Sequence, residues 1–149
     1  MFESNLRWCR EELEMTQAEL GYIFGVSDAA VRVWETAHDS MPLSKLIKFC
    51  NMYDFSLDFV CGLTRENIKY GKFETVKEKI GEKLKLLWTH LKLSQQALSD
   101  ECKISQTTYS GYETGHYLIN TANLYYICKT YNVSMDWIVG RTKNTKIGK

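Results

Sequence analysis

The feature that most restricts how this chain can fold is a repeat. Shifting the 149-residue sequence on itself by 78 positions aligns residues 6–64 with residues 84–142 without a gap. Fifteen of these 59 positions are identical: Leu6, Leu13, Gln17, Leu20, Ser27, Glu35, Thr36, His38, Leu46, Cys50, Tyr53, Ser56, Asp58, Gly62 and Thr64, each with its copy 78 residues on. Conservative pairs run between them, among them Thr16/Ser94, Val26/Ile104, Trp34/Tyr112 and Phe59/Trp137. Whatever the first copy folds into, the second should also fold into. A unit of about 60 residues buries only about 60% of its unfolded surface. The two copies are therefore expected to pack on each other.

Each copy reads as five short helices. Leu6, Cys9 and Leu13 share one helical face, as do Ile80, Leu84, Leu87 and Leu91, which is the spacing of an amphipathic helix. Thr16 with Glu19 forms a capping box for a second helix, and Ser94 can cap its counterpart without the reciprocal acid. After a turn at Gly25-Val26, Ser27 or Ser105 caps a third helix with Val31 and Trp34, or Tyr109 and Tyr112, on its inner side. Pro42 and Asn120 open a fourth helix. Ser56 and Ser134 cap a fifth, which stops at Gly62 or Gly140. With one Pro and 9 Gly in the whole chain, there are few breaks, and the expected class is all-α.

Composition narrows the function. Residues 1–70 carry 7 basic and 11 acidic side chains, whereas residues 71–149 carry 12 and 7, so the near-neutral total hides an acidic front and a basic back. No apolar run approaches the roughly 18 residues that span a bilayer, and the first ten residues lack the apolar core of a signal peptide; no membrane association and a cytoplasmic location are expected. Five cysteines without a Cys-x-x-Cys pair point to buried thiols rather than disulfides or a zinc ribbon. No Gly-rich phosphate loop, His-Glu-x-x-His or nucleophile elbow is present. An enzyme, a cofactor and a small-molecule ligand are not expected.

A capped second helix beginning Thr-Gln or Ser-Gln, a small residue a few places later (Gly21, Ser99), a Val-Ser or Ile-Ser turn and a third helix ending in Glu resemble the Cro/phage-repressor (Xre-type) helix-turn-helix. Both copies carry the pattern, although Lys103 stands where the family usually has its turn Gly. The resemblance implies two tandem five-helix, lambda-repressor-like domains: residues 1–64 and 74–142, joined by a linker at 65–73 and followed by a basic tail at 143–149. It also implies a bacterial or phage-derived regulator of transcription, acting as a repressor on double-stranded DNA. In that family the second helix presents its N-terminal amides to phosphate while the third enters the major groove. Thr16, Gln17, Ser94 and Gln95 would then lie at the backbone. Ser27, Asp28, Ala29, Ala30, Arg32 and Val33, and Ser105, Gln106, Thr107, Thr108, Ser110 and Gly111, would face the bases. His38 and Ser40, and His116, Tyr117 and Asn120, would touch the backbone again.

The residues themselves allow plainer roles for some of these. Glu35 reads as the structural partner of Arg10, which leaves Glu113, opposite Trp88, in need of another. One His per copy, with no acid or Cys at ligand spacing, does not make a metal site. Tyr125, Tyr126 and Tyr131 read as core and interface. Asp58 and Asp136 suit the first turn of their own fifth helices through the helix dipole. Asp28 brings a carboxylate toward phosphate, whereas Gln106 can pair with adenine N6 and N7, so the second copy is expected to dominate. The alternative is a protein-interaction module, antirepressor-like or antitoxin-like, in which the first copy binds a protein partner or a second chain and only the second copy, or neither, binds DNA.

Overall fold

The computed structural model describes residues 4–147. Residues 1–3 of the expected first domain and 148–149 of the basic tail lie outside them. Among the described residues there are ten α-helices and no strand. Their order repeats: α1 (Leu6–Glu12), α2 (Gln17–Phe24), α3 (Asp28–Glu35), α4 (Leu43–Tyr53) and α5 (Leu57–Val60) are followed by α6 (Lys77–His90), α7 (Gln95–Glu101), α8 (Gln106–Glu113), α9 (Thr121–Tyr131) and α10 (Met135–Ile138). The helix starts follow the capping residues. Thr16 accepts from the amide of Glu19 in a complete capping box, and Ser27, Ser56, Ser94, Ser105, Asn120 and Ser134 each accept from the amide three residues on.

The backbone repeats more faithfully than the side chains. Five pairs related by 78 residues all turn left-handed: Glu14 and Lys92, Gly25 and Lys103, Ala37 and Gly115, Asp54 and Asn132, Gly62 and Gly140. Lys103, at φ 57°, holds the turn that Gly25 makes at 68°. A lysine accepts a conformation that glycine adopts without steric penalty.

Leu6, Leu20, Val31, Leu46 and Phe49 of the first half are buried in one continuous core with Leu84, Leu87, Leu98, Tyr109 and Ile127 of the second. The two halves meet where α5 packs on α10. There Asp58 and Asp136 stand in the first turns of their own helices, as expected, but their hydrogen bonds run across the interface: Asp136 accepts from the amides of Leu57 and Asp58, both at 3.0 Å. Asp58 in turn accepts from the amide of Met135 at 2.6 Å and the hydroxyl of Ser134 at 2.5 Å. Each acid caps the helix of the other half. Short helices packed against each other across the interface bring each carboxylate nearer to the neighbour's free first-turn amides, which carry the positive end of that helix.

Only one of the two acids has a cation. Arg141, fully buried, pairs with Asp136 at 2.5 Å, while the matching position in the first half is Leu63. Burial and the neighbouring Asp136 push Asp58 well above the ordinary carboxylate range. Arg141 also donates to the Asn51 side chain and to the carbonyl of Gly71. This draws the connector down onto the interface.

The connector is not a loose tether. Asn67 accepts from the amide of Ser56 and donates to the carbonyl of Asp54, Asn51 bonds both backbone groups of Phe73, and Thr75 donates to the carbonyl of Val139. The tail follows suit, with the carbonyl of Thr145 accepting from the amide of Ser134 at 2.8 Å, in the place that Asn67 takes at Ser56. The chain has no helix long and apolar enough to cross a membrane among the described residues. Cys9, Cys50, Cys61 and Cys128 are buried free thiols, and Cys102 is half-buried.

Candidate nucleic-acid interface

Two surfaces of similar backbone present the residues singled out by sequence, and their chemistry differs. In the first half, α2 packs on α3, and the close approach has a visible cause: a Cβ on Gly21 would lie 2.6 Å from the carbonyl oxygen of Val26. Behind α3, Arg10 holds both oxygens of Glu35 through Nε at 2.6 Å and Nη2 at 3.0 Å, and its Nη1 donates to the carbonyl of Met15. Glu35 also accepts from Nε2 of Gln17 at 3.1 Å. The expected Arg10–Glu35 pair is present, and Gln17 is tied to it through the amide that was assigned to phosphate. At the exposed start of α3, Asp28 and Arg32 form an ion pair at 4.0 Å, while Ala29 and Ala30 offer methyl groups only. Val33 is exposed at the far end of this face. His38 contacts the hydroxyl of Thr36 at 2.9 Å, and the amide of Ser40 donates to Asp39.

The second half replaces that arrangement with neutral donors. Glu113 accepts from the indole Nε1 of Trp88 at 3.1 Å and from Nε2 of Gln95 at 2.7 Å. The residue that displaced the arginine is thus itself the partner Glu113 required. Gln106 is exposed at the start of α8, and its Nε2 donates to Oε1 of Gln95 at 3.0 Å. Ser110 reaches the same oxygen at 3.4 Å. Thr107 is exposed, and Thr108 accepts from the hydroxyl of Ser105 at 2.7 Å. No shared motif flags this chain of contacts in the sequence. The signal lay in the pair of unlike residues, Trp88 for Arg10 and Gln106 for Asp28.

One expected base-facing position, Gly111, and the expected backbone contacts beside it are already engaged within the fold. Gly111 lies under the ring of Tyr117, which stands where a Cβ would be, so this part of α8 presents the tyrosine ring, half exposed, in place of bare backbone. His116 packs edge-on against the same ring, with centroids 4.5 Å apart. Asn120 is occupied as the cap of α9. Of the tyrosines read as core, Tyr125 is buried, Tyr131 donates to Glu101 at 3.2 Å and Tyr126 is exposed. No cluster of His, Cys, Asp or Glu suited to a metal ion occurs among the described residues.

Comparison with known proteins places this geometry. The helix-turn-helix family model matches residues 84–138, a span that holds α7 and α8 with their connecting turn. An uncharacterized HTH-type transcriptional regulator, YobD, of Bacillus subtilis (strain 168) is 28% identical over 104 residues, covering 70% of this chain and 92% of that protein. No solved structure gives a significant match. Both similarities are to helix-turn-helix proteins. They support a helix-turn-helix domain at residues 84–138.

Proposed function

We propose that the chain is a sequence-specific repressor made of two covalently linked helix-turn-helix domains, residues 1–64 and 74–142 joined by 65–73, which binds duplex DNA as a single chain. The observation that carries the reading is Gln106. It is exposed at the capped start of α8, inside the matched span, beside Gln95 at the start of α7. A helix entering the major groove N-terminus first would bring Gln106 and Thr107 to base edges while α7 crosses the backbone. The first domain supplies α3, where Arg32 is the main donor. Because α3 and α8 carry different side chains and the domains dock internally, one chain would read a site without two-fold symmetry.

Selection from a random duplex pool tests this. Enrichment of one non-palindromic sequence, bound by one chain, supports the reading. An inverted repeat bound by two chains would mean that one domain reads and the protein dimerises. No enrichment at all would favour an interaction module.

A second reading has its own observation. Around α1 and α2 the first half exposes Glu11, Glu12, Glu14 and Glu19, where the second half has Thr89, His90, Lys92 and Ala97. Carboxylates at these positions repel phosphate. In this reading the first domain binds a protein, in an antirepressor-like or antitoxin-like role, and only residues 74–142 touch DNA. A nuclease footprint covering the width of a single domain would favour it.

A further inference from the structure

The amide of Gln106 is not free to turn over. A carboxylate accepts hydrogen bonds and donates none, so Glu113 can face only the Nε2 end of Gln95, as it does at 2.7 Å. Oε1 of Gln95 is thereby left outward, and an amide oxygen likewise only accepts. It takes Nε2 of Gln106 at 3.0 Å and the hydroxyl of Ser110 at 3.4 Å. Turning either amide over would set oxygen against oxygen. The negative charge at residue 113 thus dictates which end of Gln106 faces inward. What Gln106 has left to offer is its own Oε1 and the second N–H of Nε2, an acceptor beside a donor. Adenine presents the complementary N6–H and N7 in the major groove, whereas guanine presents two acceptors.

Trp88 makes the carboxylate effective in this role. Its indole donates to Glu113 at 3.1 Å without bringing a charge, and Gln95 bonds this acid at 2.7 Å, against 3.1 Å for Gln17 on the arginine-paired Glu35. In the first half Arg10 takes both oxygens of Glu35, and the residue after Ser27 is Asp28, with no amide to orient.

We infer that Glu113, supported by Trp88, is a positioning residue that sets the base preference where Gln106 reads, by fixing the orientation of the Gln95 and Gln106 amides. This rests on the reading of α8 as the groove-binding helix.

The test uses the full chain and four duplexes derived from its selected site, differing only in the base at the position that Gln106→Ala relaxes. Binding is titrated by fluorescence anisotropy at one salt concentration. The unaltered chain should prefer adenine over guanine by about tenfold or more, as a good bidentate pair does. Glu113→Gln keeps the shape and loses the enforced polarity; adenine preference should fall about fivefold, while affinity for the guanine duplex stays within about twofold. Trp88→Phe should cut the preference about twofold. Gln95→Met breaks the relay with Glu113 intact and should lose the preference as Glu113→Gln does, which keeps the test decisive if Glu113→Gln folds poorly. A uniform loss across all four duplexes, or an unchanged preference in Glu113→Gln and Gln95→Met, overturns the inference and leaves the function standing. Absence of base preference at every position in the unaltered chain ends both.

Discussion

The exposed ends of α3 and α8 sit on backbones that turn at the same places, yet one is closed by charge and the other is held open by amides. Asp28 answers Arg32 on the surface, and Arg10 answers Glu35 beneath it. Within α8 itself the one charged residue is Glu113, met by an indole and a glutamine. A fold of this kind fixes where side chains stand and says little about what they can bind. The difference between the two halves is therefore chemical, and substitution can probe it without rebuilding the backbone.

The strongest expected contrast is between buried ions. Removing one partner of a buried pair strands the other, which typically costs about 3–5 kcal/mol. Arg10→Leu, which strands Glu35, should approach that range in urea unfolding, whereas Trp88→Phe, which removes one neutral donor, should cost about 1–3 kcal/mol. Equal losses would break the distinction drawn between the halves. Arg141→Leu gives the second half the residue of the first and strands Asp136; its loss should match that of Arg10→Leu.

At the DNA surface the expected effects are smaller. Gln106→Ala should weaken binding to the selected site by about 1–3 kcal/mol and relax one base position. Asp28→Ala should do little harm, and it should tighten non-specific binding as its negative charge is lost. A salt-controlled titration of both variants on the selected sequence decides. Loss of binding in Asp28→Ala with Gln106→Ala intact would exchange the roles assigned to α3 and α8.

The inter-half acids give a pH dependence of known sign. Asp58 is raised in the folded protein by burial and by Asp136. Its favourable share of stability is therefore complete below the unfolded carboxylate value of about 3.9 and is lost as pH rises toward the raised folded value. Melting temperature should fall between slightly acid and slightly alkaline pH, and Asp58→Asn should flatten that slope; an unchanged slope would show that Asp58 is ionised when buried. The smallest effect concerns thiols: half-buried Cys102 should react with a thiol reagent before Cys50, Cys61 and Cys128, whose burial pushes their pKa values further up.

Helix order and caps were legible because they depend on local rules. Thr16, Ser27, Ser105 and Asn120 meet their amides within three residues, and Leu6, Leu84 and Tyr109 follow helical spacing into the core. Contacts between distant residues were legible where the family resemblance supplied them, as for Arg10 and Glu35, and not at the interface between the halves. That Asp58 and Asp136 exchange helices depends on how α5 meets α10, and no periodicity encodes it. Arg141 was not singled out in the sequence, yet it is fully buried. Trp88 illustrates the middle case: its departure from Arg10 was visible, but only the three-dimensional arrangement reveals that an indole can take the arginine's place.

The exchange of acids at the interface means that neither half is chemically complete. Cut the chain at its connector, and each fragment keeps a carboxylate with no helix to cap and a helix whose first amides have no acceptor. Two copies that began as equals could each change surface, trading lysine for glutamate or aspartate for glutamine, without disturbing this mutual dependence. The halves can diverge in what they recognise while remaining bound to unfold together.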